Sequence, residues 1–139
     1  MIFVDTSAIY AVLDRNDRNH EAAKREWFSL VDGGARMFTT NYVLVECCAL
    51  AQSRLGAEAV RAIQEDMLPL IDLVWVDETI HAQAMAALLA ARRRRLSLVD
   101  CCSFVAMRQR GAEAAFAFGG HFGEAGFVSP GDAQGSGPG

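Results

Sequence analysis

MIFVDTSAIYAVL, residues 1–13, places a single charge, Asp5, between Met1 and Leu13. Ile2 to Val4 read as a short buried strand that ends at Asp5-Thr6-Ser7, and Ala8 to Leu13 read as the start of a helix. A strand that runs into a helix through an acid and two hydroxyls is the opening of a parallel α/β unit. The same punctuation recurs downstream. Met37 to Thr39 form a second strand, with Thr40 or Asn41 as cap of a helix to about Arg54. Leu73 to Val76 form a third, followed by a helix from Glu78 to about Arg93 capped by Asp77. Ser97 caps a helix from Leu98 to Arg110 that Gly111 ends. Ala115 to Phe118 form a fourth strand, with Phe127-Val128 as a fifth. Further helices fit Asn19 to Val31 and Ala57 to Leu68. The expected architecture is a three-layer α/β fold, a central parallel sheet of four to five strands flanked by helices. Residues 1–128 make one domain, and 129–139, rich in Gly, Pro and Ser, are expected to be a disordered tail.

Two further acids share the isolation of Asp5. Glu46 is the only charge between Met37 and Ser53, and Asp100 the only charge between Leu96 and Met107. Apolar stretches go inside a fold, and a buried carboxylate without a positive partner is costly. No Arg or Lys lies within a helical turn of any of the three. A divalent cation shared by all of them would resolve the cost. Asp5 and Asp100 also fit helix caps, Ser97-Leu-Val-Asp100 having the S-x-x-D spacing of a capping box. Glu46 has uncharged helical neighbours, so no ion pair within its own helix is available. In parallel sheets, function gathers beyond the carboxyl ends of the strands, and all three acids fall there.

Composition bounds the partners. The chain has 139 residues, 52% of them apolar, and a net charge of −4, so a polyanion would need a local basic patch. The run Arg92 to Arg95 is one such patch, or else the solvated end of a helix. The adjacent cysteines Cys47-Cys48 and Cys101-Cys102 lie in hydrophobic segments, as buried thiols of a reducing cytoplasm would. The N-terminus lacks the basic region of a signal peptide, and no apolar run reaches the roughly 18 residues of a membrane span. Phosphate-binding, dinucleotide-binding and zinc-protease motifs are missing from the sequence.

Four blocks in order resemble the motifs of the PIN-domain family, and within it the VapC-type toxins of bacterial toxin–antitoxin pairs. They are Asp5-Thr6-Ser7-Ala8 after the first strand, Thr39-Thr-Asn-Tyr-Val-Leu-Val-Glu46, Ser97-Leu-Val-Asp100-Cys with Ser103-Phe104, and Ala115-Phe-Ala-Phe-Gly119-Gly120-His121-Phe122 with Gly126-Phe127. The resemblance covers residues 1 to about 128. It implies an endoribonuclease dependent on Mg²⁺ or Mn²⁺, with Asp5, Glu46 and Asp100 as metal-binding catalytic acids. Thr6 or Ser7 would orient a metal-bound water through a hydroxyl, and His121 would help position substrate. It further implies an RNA substrate, a cognate antitoxin and a homodimer, with the helices over Tyr42 to Leu55 and Ala57 to Leu68 as the partner-binding surface. The family's fourth acid is replaced here by Gly119. That departure leaves a second reading open, a catalytically weakened PIN module that binds RNA or a protein partner. A PIN nuclease of RNA processing, outside any toxin–antitoxin pair, is a third.

Overall fold

The computed structural model describes residues 1–135. Four strands, β1 (Ile2–Val4), β2 (Met37–Thr40), β3 (Ile71–Val74) and β4 (Ala114–Phe116), form a parallel sheet in the order β3-β2-β1-β4. The helices are α1 (Thr6–Leu13), α2 (His20–Asp32), α3 (Asn41–Leu55), α4 (Ala57–Ala62), α5 (Glu78–Ala91), α6 (Leu98–Arg110), α7 (His121–Glu124) and α8 (Pro130–Gly135). All four residues of β2 are buried, so helices cover both faces of the sheet, as a parallel sheet requires. The chain adds strands on one side of β1 and then returns to its other side with β4. The carboxyl end of β1 is therefore the topological switch point, where α/β sheets open a crevice.

Phe3 of β1 holds the centre of the core. Its ring lies 5.3 Å edge-on to Phe38 of β2 and 5.8 Å stacked on Phe122 of α7, and Phe122 meets Phe104 of α6 edge-on at 5.1 Å. This cluster ties the sheet to the segment after β4. All four cysteines are free, and burial pushes the Cys47 thiol up to about 12, which keeps it protonated. Among the described residues no helix is long and apolar enough to cross a membrane.

Several boundaries differ from the sequence expectation. The helix expected over Ala57 to Leu68 is broken: α4 stops at Ala62, Ile63–Met67 form a π turn, and Leu68–Leu70 a tight 3₁₀ turn. Pro69 has no N–H to donate to a continuing helix, so helical backbone does not run on past this turn, although Leu68 before it is still helical (φ −58°, ψ −34°). β3 starts two residues early and ends at Val74, leaving Trp75 outside the sheet. The fifth strand is a single bridge, Val128 to Ala114. α5 ends at Ala91, and Arg92 takes the left-handed conformation (φ 53°), so the Arg run is a connection rather than a helix end. The tail expected to be disordered from 129 is helical over Pro130–Gly135. There Ser129 Oγ donates to Asp132 Oδ2 at 2.8 Å, Pro130 is buried, and α8 packs on β4. Residues 136–139 of that tail lie outside the described residues.

Phe122→Ala is expected to cost about 3–5 kcal/mol, because the cavity it leaves is lined by rings that cannot collapse into it. Urea unfolding with an unchanged slope would read that loss. A cost below about 1 kcal/mol would show that the aromatic cluster does not anchor the segment after β4.

Candidate active site

Asp5 follows the last residue of β1, at the switch point, and its own N–H donates to the Phe116 carbonyl of β4 (3.0 Å). It is the cap of α1: Oδ2 accepts from Ser7 N at 3.2 Å and from Ser7 Oγ at 2.7 Å. Ser7 Oγ in turn accepts from Phe118 N at 2.9 Å. The Ser7 hydroxyl is thus committed on both sides, to Asp5 and to the backbone after β4. It orients the acid, which differs from the expected part of orienting a metal-bound water. The Phe118 N–H turns from the sheet to Ser7, consistent with β4 ending at Phe116.

Asp100 is the third residue of α6 and forms a reciprocal capping box. Its Oδ2 accepts from Ser97 N (3.1 Å), while its N–H donates to Ser97 Oγ (3.0 Å). The capping readings of both aspartates hold, and the charge of Asp100 is near enough to act on Asp5. Each cap uses Oδ2, and Oδ1 of each accepts no hydrogen bond among the described residues. Glu46 comes from the second turn of α3 and is exposed, Asp100 is half-buried and Asp5 is buried. The expectation of three buried acids therefore holds for Asp5 alone. Glu46 stands at the rim, because α3 presents Val43, Cys47 and Ala51 to the core instead.

Electrostatics ties the three together. Burial pushes the Asp5 carboxyl from 3.8 up to about 6; the two bonds from Ser7 oppose this, and the negative charges of Asp100 and Glu46 reinforce it. No cation contributes, and none of the three acids is in an ion pair among the described residues. The result is uncompensated negative charge at the carboxyl end of β1, where Asp5 feels both other acids. Hard divalent cations take carboxylate oxygens. The side chains as placed do not close a ready-made metal cage among the described residues. Mg²⁺ keeps several of its waters and needs only one or two direct carboxylates, so this donor set fits it with water completing the shell.

The remaining predicted residues follow β1 and β4, at the same end of the sheet. Thr6 is buried with its hydroxyl unpartnered, and His121 opens α7 with an unpartnered buried Nδ1. Gly119 has φ +95°, and a Cβ built there meets nothing within 4 Å. Arg93 pairs with Glu124 of α7, whose carboxyl it holds below the usual range. Sequence reasoning missed this pair. Its members are 31 residues apart, and no local spacing joins them.

The model of the PIN domain matches residues 2–128. This chain belongs to the PIN-domain family. Two curated PIN relatives are the 23S rRNA-specific endonuclease VapC20 of Mycobacterium tuberculosis from strains CDC 1551 / Oshkosh and H37Rv. Each is 38% identical to this chain over 131 residues, covering 92% of this chain and 96% of the relative. The crystal structure of Mycobacterium tuberculosis VapC20, described as a Sarcin-Ricin loop cleaving toxin, superposes with a TM-score of 0.82 at 35% identity. That match covers 92% of this chain and 97% of the other. The parallel α/β sheet flanked by helices is thus the PIN fold.

The raised Asp5 value has a sign. Relative to an unfolded acid near 3.8, the native state of the metal-free protein retains its proton to about pH 6. The neutral carboxyl contributes stability below about pH 4, and that contribution is lost as pH rises through about 6. At about 1.4 kcal/mol per pH unit the loss is about 3 kcal/mol. Asp5→Asn is expected to gain on the wild type over that window and run parallel to it above. Thermal melts in EDTA between pH 4 and 8 measure this, and a pH-independent difference would contradict the buried, mutually repelled carboxylate.

Proposed function

We propose that this chain is the toxin nuclease of a VapC-type pair, an endoribonuclease that hydrolyses RNA phosphodiester bonds with Mg²⁺ or Mn²⁺. The observation that carries it is Asp5, buried at the β1–β4 switch point and repelled by the charges of Asp100 and Glu46 with no compensating cation among the described residues. When bound there, the ion would neutralise phosphate charge and acidify a water. Asp5 Oδ1, Asp100 Oδ1 and the Glu46 carboxylate are the groups to hold it. Two of them are held by their caps, Asp5 by Ser7 and Asp100 by Ser97, each through Oδ2, which leaves Oδ1 without a hydrogen bond among the described residues. By its likeness to VapC20, the substrate is a structured segment of 23S rRNA of the sarcin–ricin type.

As partners we propose a cognate antitoxin whose Arg or Lys enters the acidic crevice, and a second copy of this chain. Val45 of α3, Trp75 and Leu89 of α5 are each about two-thirds exposed, more apolar surface than a lone subunit needs. The helices α3 and α4 remain our proposal for partner contact.

Purified protein, ribosomes and Mg²⁺ test the reading. A discrete cut in 23S rRNA is expected, abolished by EDTA and reduced at least about 100-fold in Asp5→Asn and Asp100→Asn. Wild type that leaves RNA intact in both Mg²⁺ and Mn²⁺ would favour the alternative, a weakened PIN module. Gly119 supports that second reading, because it carries no carboxylate where the family pattern has one.

Gly119→Asp separates the two. The space is open but φ +95° strains any L side chain, by about 1 kcal/mol or more. The variant is expected to melt earlier, yet to bind Mn²⁺ more tightly and cleave faster. Calorimetric titration and a melt on the same sample distinguish the effects. A folded variant with unimproved metal affinity would show that this glycine is not a missing ligand.

A further inference from the structure

A second cavity opens one hydrogen bond from Asp5. It has a volume of about 280 Å³ and lies between α1, the α1–α2 turn, α3 and the segment after β4. Ser7, Tyr10, Arg18, Asn19, Phe118 and Gly119 line it. The Ser7 hydroxyl on its wall is the one 2.7 Å from Asp5 Oδ2, and Gly119 is the position of the family's fourth acid. The cavity is therefore next to Asp5, with Ser7 between them. Its volume is near the lower end of small-ligand clefts, about 300–1,000 Å³, which suits one nucleotide rather than a helix.

Ser7 and Tyr10 spend their hydroxyls on Asp5 and Asp14, but two polar side chains of the cavity, Arg18 and Asn19, are uncommitted among the described residues. Arg18 is exposed and forms no ion pair or hydrogen bond among the described residues. Asn19 occupies the cap position of α2, but its side chain caps nothing. Phe118 is half-buried. Asp17 also lines the cavity, and its Oδ1 is taken by Asn19 N (2.8 Å). A free guanidinium suits a phosphate, a free amide suits a base edge, and an aromatic ring suits a base face. The Arg92 to Arg95 run compares poorly, since Arg93 is already paired with Glu124.

We propose that this cavity is the subsite for the RNA nucleotide next to the scissile bond, with Arg18 on its phosphate, Asn19 on its base edge and Phe118 against its base. The substrate class rests on the nuclease reading above, but the subsite is tested without catalysis.

The test uses the full chain in EDTA, where no cleavage occurs, with a fluorescent single-stranded RNA read by anisotropy across a range of KCl. Arg18→Ala is expected to weaken binding about tenfold, the scale of one charge-assisted hydrogen bond. It should also flatten the slope of log affinity against log salt by about 0.7 to 1, one phosphate contact. Arg18→Lys should restore the slope, because it keeps the charge. Asn19→Ala should weaken binding at an unchanged slope. Melting temperatures should stay at the wild-type value for the Arg18 variants, since that side chain is exposed and makes no ion pair or hydrogen bond among the described residues. An unaltered slope in a folded Arg18→Ala protein would overturn the proposal. Wild type that binds RNA with an Arg18-dependent slope, yet cuts nothing in Mg²⁺, would refute the nuclease reading and uphold this one.

Discussion

The hydroxyl of Ser7 joins the two halves of this molecule. It donates to Asp5 at the end of the first strand and accepts from the backbone of Phe118, beyond the last strand, 111 residues away in the chain. The contact places a carboxylate at the switch point of the sheet and holds the closing segment against it. Phe122, three residues after Gly119, then stacks on Phe3 and packs against Phe104, so the core supports the same segment from beneath. The acid is costly in this place, as its raised value shows, and the two bonds from Ser7 only partly offset burial. A buried carboxylate of this kind stays costly until a positive partner meets it.

Capping and chemistry are usually weighed as alternatives for an Asp at a helix start. Here they are the same arrangement. One oxygen of Asp5 satisfies the first turn of α1, and one oxygen of Asp100 satisfies the first turn of α6. The bonds that cap the helices also fix the rotamers, so the second oxygen of each acid is aimed before any ligand arrives. Glu46 has no such anchor and stands in solvent at the rim, free to move toward the other two. The acidic set thus combines two rigid members with one adaptable member.

Basic residues divide by geometry in a way their clustering conceals. The four consecutive arginines make the conspicuous motif, yet they form the connection between α5 and α6, and Arg93 is neutralised by Glu124. Arg18, alone in a turn of mixed charge, is unpaired in the cavity beside Asp5. For attraction to a phosphate beside Asp5, an unpaired guanidinium that lines the adjoining cavity counts for more than a run that does not line it.

The strand-to-helix alternation, most helix caps and the three acids were legible in the sequence because each depends on local pattern: apolar periodicity, cap chemistry and the solitude of a charge in an apolar run. Pro69 is a local signal too, but the apolar periodicity of Ala57 to Leu68 does not show where the α-helix gives way to π and 3₁₀ turns. What local pattern could not decide was exposure and partnership. The sequence shows Glu46, Asp5 and Asp100 in equally apolar surroundings, but only packing turns Glu46 outward and buries Asp5. Likewise Ser7 to Phe118 and Arg93 to Glu124 join residues far apart in sequence, which only the folded sheet order brings together. The sequence by itself singled out the three acids, through their types and their places at element ends. The tertiary structure alone decided which oxygen of each acid is free, which arginine is unpaired and which cavity adjoins them, because those depend on contacts between segments that share no local period.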